Sequence, residues 1–280
     1  MLKLYHNFHF LSLDIVFGAL ATSLFASRLL TANPGWAWYT ILACTVWLLY
    51  TGDHVIDAWR QRKQSQREMH LFIFRNRRLL LWAMGVVAIV NGLLIFNLLD
   101  QAVLRVALVL GGLVFLFYAM RHLFRKNRLF FIPGEVFVLL LYLAGTWMGP
   151  YVTRTVKLQS THWMIFLMMA GVLLLNLGII SLFDAKLDSR LGISSLANAL
   201  GKRATRFLML ISAGGILLLA VLQFLVYRAD QTSQFGLILM GMTVVLLLVL
   251  LFPSRFRKDE AYRLVADAVL YMGFLSLLIS

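Results

Sequence analysis

Cysteine is almost missing from the 280 residues, since Cys44 is the only one, which excludes a disulfide framework and a cysteine-based metal site. The six histidines are scattered and lack the spacing of a zinc site. Charged residues make up only 14% of the chain, too few to cover the surface of a soluble domain of this length. Secreted disulfide scaffolds, zinc proteins and soluble enzymes are therefore excluded.

Apolar residues take the place of the missing charge. They account for 61% of the chain, against about 45–50% in a soluble domain. A bilayer core of about 30 Å needs roughly 20 apolar residues per helix. Segments of this length run approximately over 9–31, 36–57, 78–99, 102–120, 130–152, 162–184, 205–227, 234–252 and 262–280. We predict an all-α, polytopic membrane protein of about nine transmembrane helices, forming a single domain over 1–280.

The basic residues predict an orientation. The net charge of +14 does not indicate a nucleic-acid partner, because the cations lie in short loops between apolar segments and not along one soluble face. Of the 26 Lys and Arg residues, 21 fall on one side of the predicted membrane. The other side keeps only Arg28, Arg105, Arg154, Lys157 and Arg228. Because cytoplasmic loops retain positive charge, we expect an integral, multi-pass protein of a bacterial inner membrane, with a cytoplasmic N-terminus and the C-terminus outside.

Two acidic clusters interrupt the apolar background at the ends of predicted spans two and six. The stretch TGDHVIDAWRQRK carries Asp53 and Asp57, and SLFDAKLDSRLGISSLANALGKR carries Asp184 and Asp188. Residues four apart share one face of a helix, so each pair projects two carboxylates toward one point. A carboxylate within the membrane costs about 2.5–3.5 kcal/mol and needs a counter-charge. Mg²⁺ accepts carboxylates and bridges to phosphates, so two facing pairs predict a site for metal ions and a diphosphate.

A simpler interpretation exists for each pair taken alone. The aspartates could end their helices at headgroup level, solvated or paired with Arg60 and Arg190. Two copies at equivalent places, each followed by basic residues, favour a shared site instead.

The stretch DAKLDSRLGISSLANALGKR resembles the second motif of the UbiA-type intramembrane prenyltransferases. That motif is DxxxD, a basic residue, Gly-Ile or Gly-Val, Ser or Thr, and Leu-Gly before a helix. The resemblance implies a helical bundle around a central cavity, with Mg²⁺ held by Asp53, Asp57, Asp184 and Asp188 as the catalytic acidic residues. It also implies transfer of a prenyl group, within the membrane and in contact with membrane lipids, from an isoprenoid diphosphate to a lipophilic acceptor. An aromatic acceptor is expected, but no residue of the sequence selects among the acceptors of the family.

The same resemblance implies a set of diphosphate contacts. Arg190 stands where the family places a basic residue on the diphosphate. The stretch YAMRH resembles the tyrosine-to-basic segment after span four, which indicates Tyr118 and Arg121. Lys126, in the same predicted loop, joins them as a cation that stabilises the leaving group.

Two positions depart from the family pattern. Leu49 and Ile180 occupy the slots, four residues before Asp53 and Asp184, where the family has asparagine. A non-catalytic lipid-binding member of the family therefore stays open as an alternative, and a small-molecule or ion transporter is a second one, since acids within spans also mark ion pathways. Among the remaining acids, Asp267 lies one turn after Arg263, which predicts a local ion pair between them.

Overall fold

The fold consists of helices joined by short connections. A computed structural model describes residues 10–61, 68–123, 133–191, 194–227 and 231–279. The order is α1 (Leu13–Leu29), α2 (Gly35–Gln61), α3 (Glu68–Leu98), α4 (Gln101–Leu123), α5 (Gly134–Val152), α6 (Ser160–Leu191), α7 (Leu196–Leu200), α8 (Lys202–Val226), α9 (Thr232–Leu251), α10 (Pro253–Phe256) and α11 (Ala261–Val269). Short 3₁₀ helices over Lys258–Glu260 and Leu270–Leu278 flank α11. Within these ranges the only β pairing is an isolated bridge between Ala32 and Arg154.

The all-α, polytopic membrane architecture predicted from the sequence is confirmed. In the described part of the chain, six helical stretches are long and apolar enough to cross a membrane, namely Leu71–Leu98, Gly134–Val152, Ser160–Arg190, Lys202–Val226, Thr232–Leu251 and Ala261–Leu278. Helix α1 has only 17 residues, and α2 mixes its apolar residues with tryptophan, tyrosine and threonine. Each of the nine predicted segments overlaps helical residues in the described part of the chain, whereas the number of helices that cross the membrane stays a prediction.

Three helices extend at least four residues beyond one end of the predicted segments. Helix α2 continues to Gln61, α3 begins at Glu68, and α6 continues to Leu191. Polar residues are no obstacle to a helix that leaves the apolar layer, because its backbone groups remain paired within the helix. Arg77, for example, donates to the Phe74 carbonyl at 3.2 Å from an exposed position in the extension of α3. Both acidic pairs therefore lie within continuous helices.

Helix α6 is the centre of the main core. It packs against α5, α8, α9 and α11, and its Met168, Met169, Val172 and Leu175 are fully buried. Helix α3, in contrast, is mostly exposed. Its large apolar side chains point outward, among them Leu79, Trp82, Ile89, Leu93 and Phe96. An apolar outer surface of this extent is what a lipid environment requires.

Gly149 on α5 lies directly against Trp38 on α2. A Cβ atom at this position would lie 2.3 Å from Cε2 of Trp38, whose ring is 4% exposed and whose Nε1 donates to Ser23 Oγ at 3.0 Å. The rigid, anchored indole cannot move aside without breaking that hydrogen bond. Glycine is thus required at 149 for α1, α2 and α5 to pack together.

We expect Gly149→Ala to destabilise the detergent-solubilised protein by about 1–3 kcal/mol, the usual cost of overpacking a core. The measurement is the thermal unfolding midpoint. Gly145→Ala is the matched control, since it lies one turn earlier on α5 and an added Cβ would meet nothing within 4 Å. Equal unfolding midpoints for the two variants would contradict the requirement for glycine at position 149.

Candidate functional site

A cavity of about 380 Å³ opens between α2, α3, α4 and α5. This volume lies in the range of small-molecule binding sites, about 300–1,000 Å³. Its wall is mainly aliphatic and includes Leu42, Val46, Ile95, Leu110, Val114 and Leu141. The space can therefore receive an apolar chain and keep it from water.

Asp53 is the acidic residue that the described part of the chain contributes to the cavity wall. It lies on α2, and Leu49 and Tyr50, from the preceding turn of the same helix, line the cavity as well. Gly134, the first residue of α5, also lines the cavity. Trp38 near the start of α2 packs against Gly149 near the end of α5, so Asp53 and Gly134 both lie away from this contact, toward the end of α2 and the start of α5. The first predicted motif thus meets the cavity near the start of α5.

A polar pair lies farther along the cavity. Asn91 on α3 is 6% exposed, and its Nδ2 donates to Thr45 Oγ1 on α2 at 2.9 Å. Thr45 precedes Asp53 by eight residues, which corresponds to about 12 Å along a helix. The carboxylate and the Asn91–Thr45 pair therefore lie at different depths of one apolar space.

Asp184, from the second motif, is held by the last helix. Tyr262 Oη donates to Asp184 Oδ1 at 2.6 Å, and the Arg263 guanidinium forms a salt bridge with Oδ2. Asp184 is only 7% exposed, whereas Asp188, one turn later, is half-buried. We call Asp184, Tyr262 and Arg263 the Asp184 cluster.

Hydrogen bonds that join α7 to α5 and to α6 bring both motifs to one end of the bundle. Glu135, next to Gly134, accepts a hydrogen bond from the Leu196 backbone N–H at 3.0 Å. The following N–H, of Ala197, donates to Ser181 Oγ at 3.0 Å, and Ser181 lies three residues before Asp184. The two hydrogen bonds therefore connect the cavity wall at the start of α5 with α7, and α7 with the turn of α6 that precedes the Asp184 cluster. The cavity lining itself contains Asp53 and neither member of the second pair.

This end of the bundle is also rich in cations, and we call it the basic end. It carries Lys186, Arg190, Lys202 and Arg203, which flank α7 in the sequence. Arg190, the predicted diphosphate contact, is exposed in the last turn of α6. A cationic surface next to an apolar cavity suits a ligand with an anionic head and an apolar tail.

Several predicted site residues cannot be placed in the same detail. Tyr118 and Arg121 belong to α4 and Asp57 to α2, but their side chains lie outside the described part of the chain. Lys126 lies entirely outside the described residues. Their roles remain predictions.

Asp53 of the first acidic pair is compatible with the Mg²⁺ that the motifs predict, and the side chain of Asp57 lies outside the described part of the chain. Mg²⁺ takes one or two carboxylates and completes its shell with waters and phosphates, and Asp53 offers a carboxylate on the cavity wall. The second pair fits less well, because both oxygens of Asp184 already accept from Tyr262 and Arg263. Over the described residues, no group of three or more His, Cys, Asp or Glu side chains could hold a metal ion. The four-aspartate site therefore remains a prediction.

The sequence did not predict that Tyr262 contacts Asp184, or that Asp184 is the ion-pair partner of Arg263. The spacing predicts Asp267 as that partner, yet the Arg263 guanidinium binds Asp184, 79 residues earlier, and lies 3.9 Å from Glu260. No local signal in the sequence connects α6 with α11. The only hint is that both segments carry charge at the border of an apolar span.

Two solved structures resemble the chain over nearly their whole length. The apo structure of a UbiA homolog from Aeropyrum pernix K1 has a TM-score of 0.60 at 14% identity, covering 94% of this chain and 97% of that one. A structure of digeranylgeranylglyceryl phosphate synthase has a TM-score of 0.54 at 12% identity, covering 99% and 100%. No protein-family model and no curated protein matches the sequence. The helical bundle, its cavity and these two likenesses establish that the chain has the fold of the UbiA-type membrane proteins.

Proposed function

We propose that the protein is an intramembrane prenyltransferase, which transfers a prenyl group from an isoprenoid diphosphate to a lipophilic, aromatic acceptor. The observation that carries the proposal is the position of Asp53 on the wall of an apolar cavity, at the basic end of a UbiA-type bundle. The digeranylgeranylglyceryl phosphate synthase with the same fold is named for an isoprenoid product, which supports this class of substrate.

The substrate would bind with its two halves in different surroundings. Aliphatic side chains such as Leu42, Val46 and Leu141 would enclose the prenyl chain. The diphosphate would stay at the basic end, facing Asp53 and the cation of Arg190. Tyr118, Arg121 and Lys126 are proposed to add contacts to it. Burial of the apolar chain then supplies the binding energy that orients the diphosphate.

The reaction breaks the C–O bond between the prenyl group and diphosphate, and diphosphate leaves with the electron pair. The acceptor forms a bond to the same carbon and releases a proton. Mg²⁺, proposed to be held by Asp53 and Asp57 together with Asp188, would supply positive charge to the leaving diphosphate. Fixed cations at the basic end stabilise the same charge without reorganising during the reaction. The aliphatic cavity wall keeps water from the allylic cation.

The direct test is release of diphosphate by the purified full chain. Allylic isoprenoid diphosphates of increasing length are incubated with aromatic acceptors, with Mg²⁺ and with excess chelator. We expect release that requires both Mg²⁺ and an acceptor, with a prenylated product detected by mass spectrometry. Binding of the diphosphate without release would instead indicate a non-catalytic lipid-binding protein, and the proposal would fail.

A further inference from the structure

The Asp184 cluster supplies a counter-charge from within the protein. Asp184 is almost fully buried, and its two carboxylate oxygens accept from two different side chains of α11. A buried carboxylate is stable only when it is paired and hydrogen-bonded. Arg263 provides the positive charge and Tyr262 the second hydrogen bond, so both requirements are met.

The cluster is part of a packed interface between α6 and α11. The rings of Phe183 and Tyr262 stack with centroids 4.4 Å apart and an interplanar angle of 16°. The Arg263 Nε donates to Tyr262 Oη at 3.3 Å, which fixes the guanidinium relative to the phenol. Deeper along the same interface, the buried Asn176 donates to the Ala266 carbonyl. Such contacts distinguish the pair from surface ion pairs, whose side chains change partners freely.

A divalent cation at Asp184 would have to share the carboxylate with this guanidinium. Two cations on one carboxylate repel each other, and the repulsion is stronger in a buried site than in water. The slot one turn earlier holds Ile180, which packs against the apolar core and offers no ligand atom. The second motif therefore has one carboxylate already neutralised and one ligand position lost.

From this geometry we infer that Arg263 is the permanent counter-ion of Asp184, so that Asp184 holds α11 in place while the divalent cation is bound by the first pair together with Asp188. The part of this inference that concerns the cation depends on the proposed function. The assignment of Arg263 to Asp184 does not.

The first experiment measures binding of Mn²⁺ alone, followed by electron paramagnetic resonance on the detergent-solubilised full chain. We expect Asp184→Asn to leave the dissociation constant within about threefold of the parent value, whereas Asp53→Asn raises it at least about tenfold, as loss of a ligand does. Asparagine retains the size of aspartate, so packing against Tyr262 is preserved. A loss of Mn²⁺ affinity in Asp184→Asn equal to that in Asp53→Asn would overturn the inference.

The second experiment tests the ion pair between Arg263 and Asp184 even if the protein binds no metal and releases no diphosphate. Thermal unfolding midpoints are compared for Asp184→Asn, Arg263→Gln and the double variant. Each single change leaves one buried charge without its partner, so we expect the double variant to lose clearly less than the two single losses added together. Additive losses would show that the two side chains do not interact, and the inference would fail. Arg263→Lys, which keeps the charge, should recover part of the midpoint lost in Arg263→Gln.

Discussion

Replacing Asp53 by asparagine is expected to reduce prenyl transfer by at least about 100-fold, comparable to the loss of one pre-arranged electrostatic contact in other enzymes. Asparagine has nearly the same shape, but it carries no charge and binds Mg²⁺ weakly. Asp53 is the acidic residue on the wall of the cavity, so its loss changes the charge that faces the diphosphate. The rate of diphosphate release at saturating Mg²⁺ is the quantity to measure.

Asp100→Asn is the control for this experiment. Asp100 is exposed in the connection between α3 and α4, at the end of α3 remote from the basic end, and it does not line the cavity. We expect this variant to retain the parent rate. If Asp53→Asn kept more than half of the parent rate, the assignment of the cavity as the reaction site would be wrong.

The second large effect is expected from filling the cavity. Gly145 lines it from α5, and an added Cβ would meet nothing within 4 Å. A phenylalanine at this position can extend into the open space and occupy volume that the prenyl chain needs. We expect Gly145→Phe to lower kcat/KM by at least about 100-fold, because a substrate that cannot enter loses its orienting binding energy.

The unfolding midpoint of Gly145→Phe should change little, since the new ring fills existing space and displaces no packed side chain. Gly214→Phe is the matched control. Gly214 is exposed on α8, an added Cβ there also meets nothing within 4 Å, and it does not line the cavity. An unchanged kcat/KM in Gly145→Phe, or an equal loss in Gly214→Phe, would contradict a role for the cavity.

The helices could be predicted from the sequence because each apolar segment is long and its neighbours are short and charged. Their ends were harder to predict, as α3 shows. It begins ten residues before the predicted segment, since the polar stretch that includes Arg75 and Arg77 is helical outside the apolar layer. Hydropathy reports where a helix meets lipid, whereas the helix ends where its backbone pairing ends.

The candidate site was predictable only in part. Asp53 was identified from its spacing to Asp57, a signal contained within one helical turn. The pairing of Asp184 with Tyr262 and Arg263 depends on how α11 packs against α6, and no local pattern encodes that contact. Hydropathy likewise does not indicate which faces enclose the cavity, because apolar side chains face both lipid and the interior of a membrane bundle.

The Asp184 cluster also bears on how the protein is assembled during synthesis. The ribosome produces Asp184 seventy-nine residues before Arg263, so α6 enters the bilayer with a carboxylate whose neutralising partner has not yet been made. That carboxylate remains unfavourable in its final buried position until α11 docks. Docking of α11 thus adds this helix to the bundle and neutralises Asp184 in a single step.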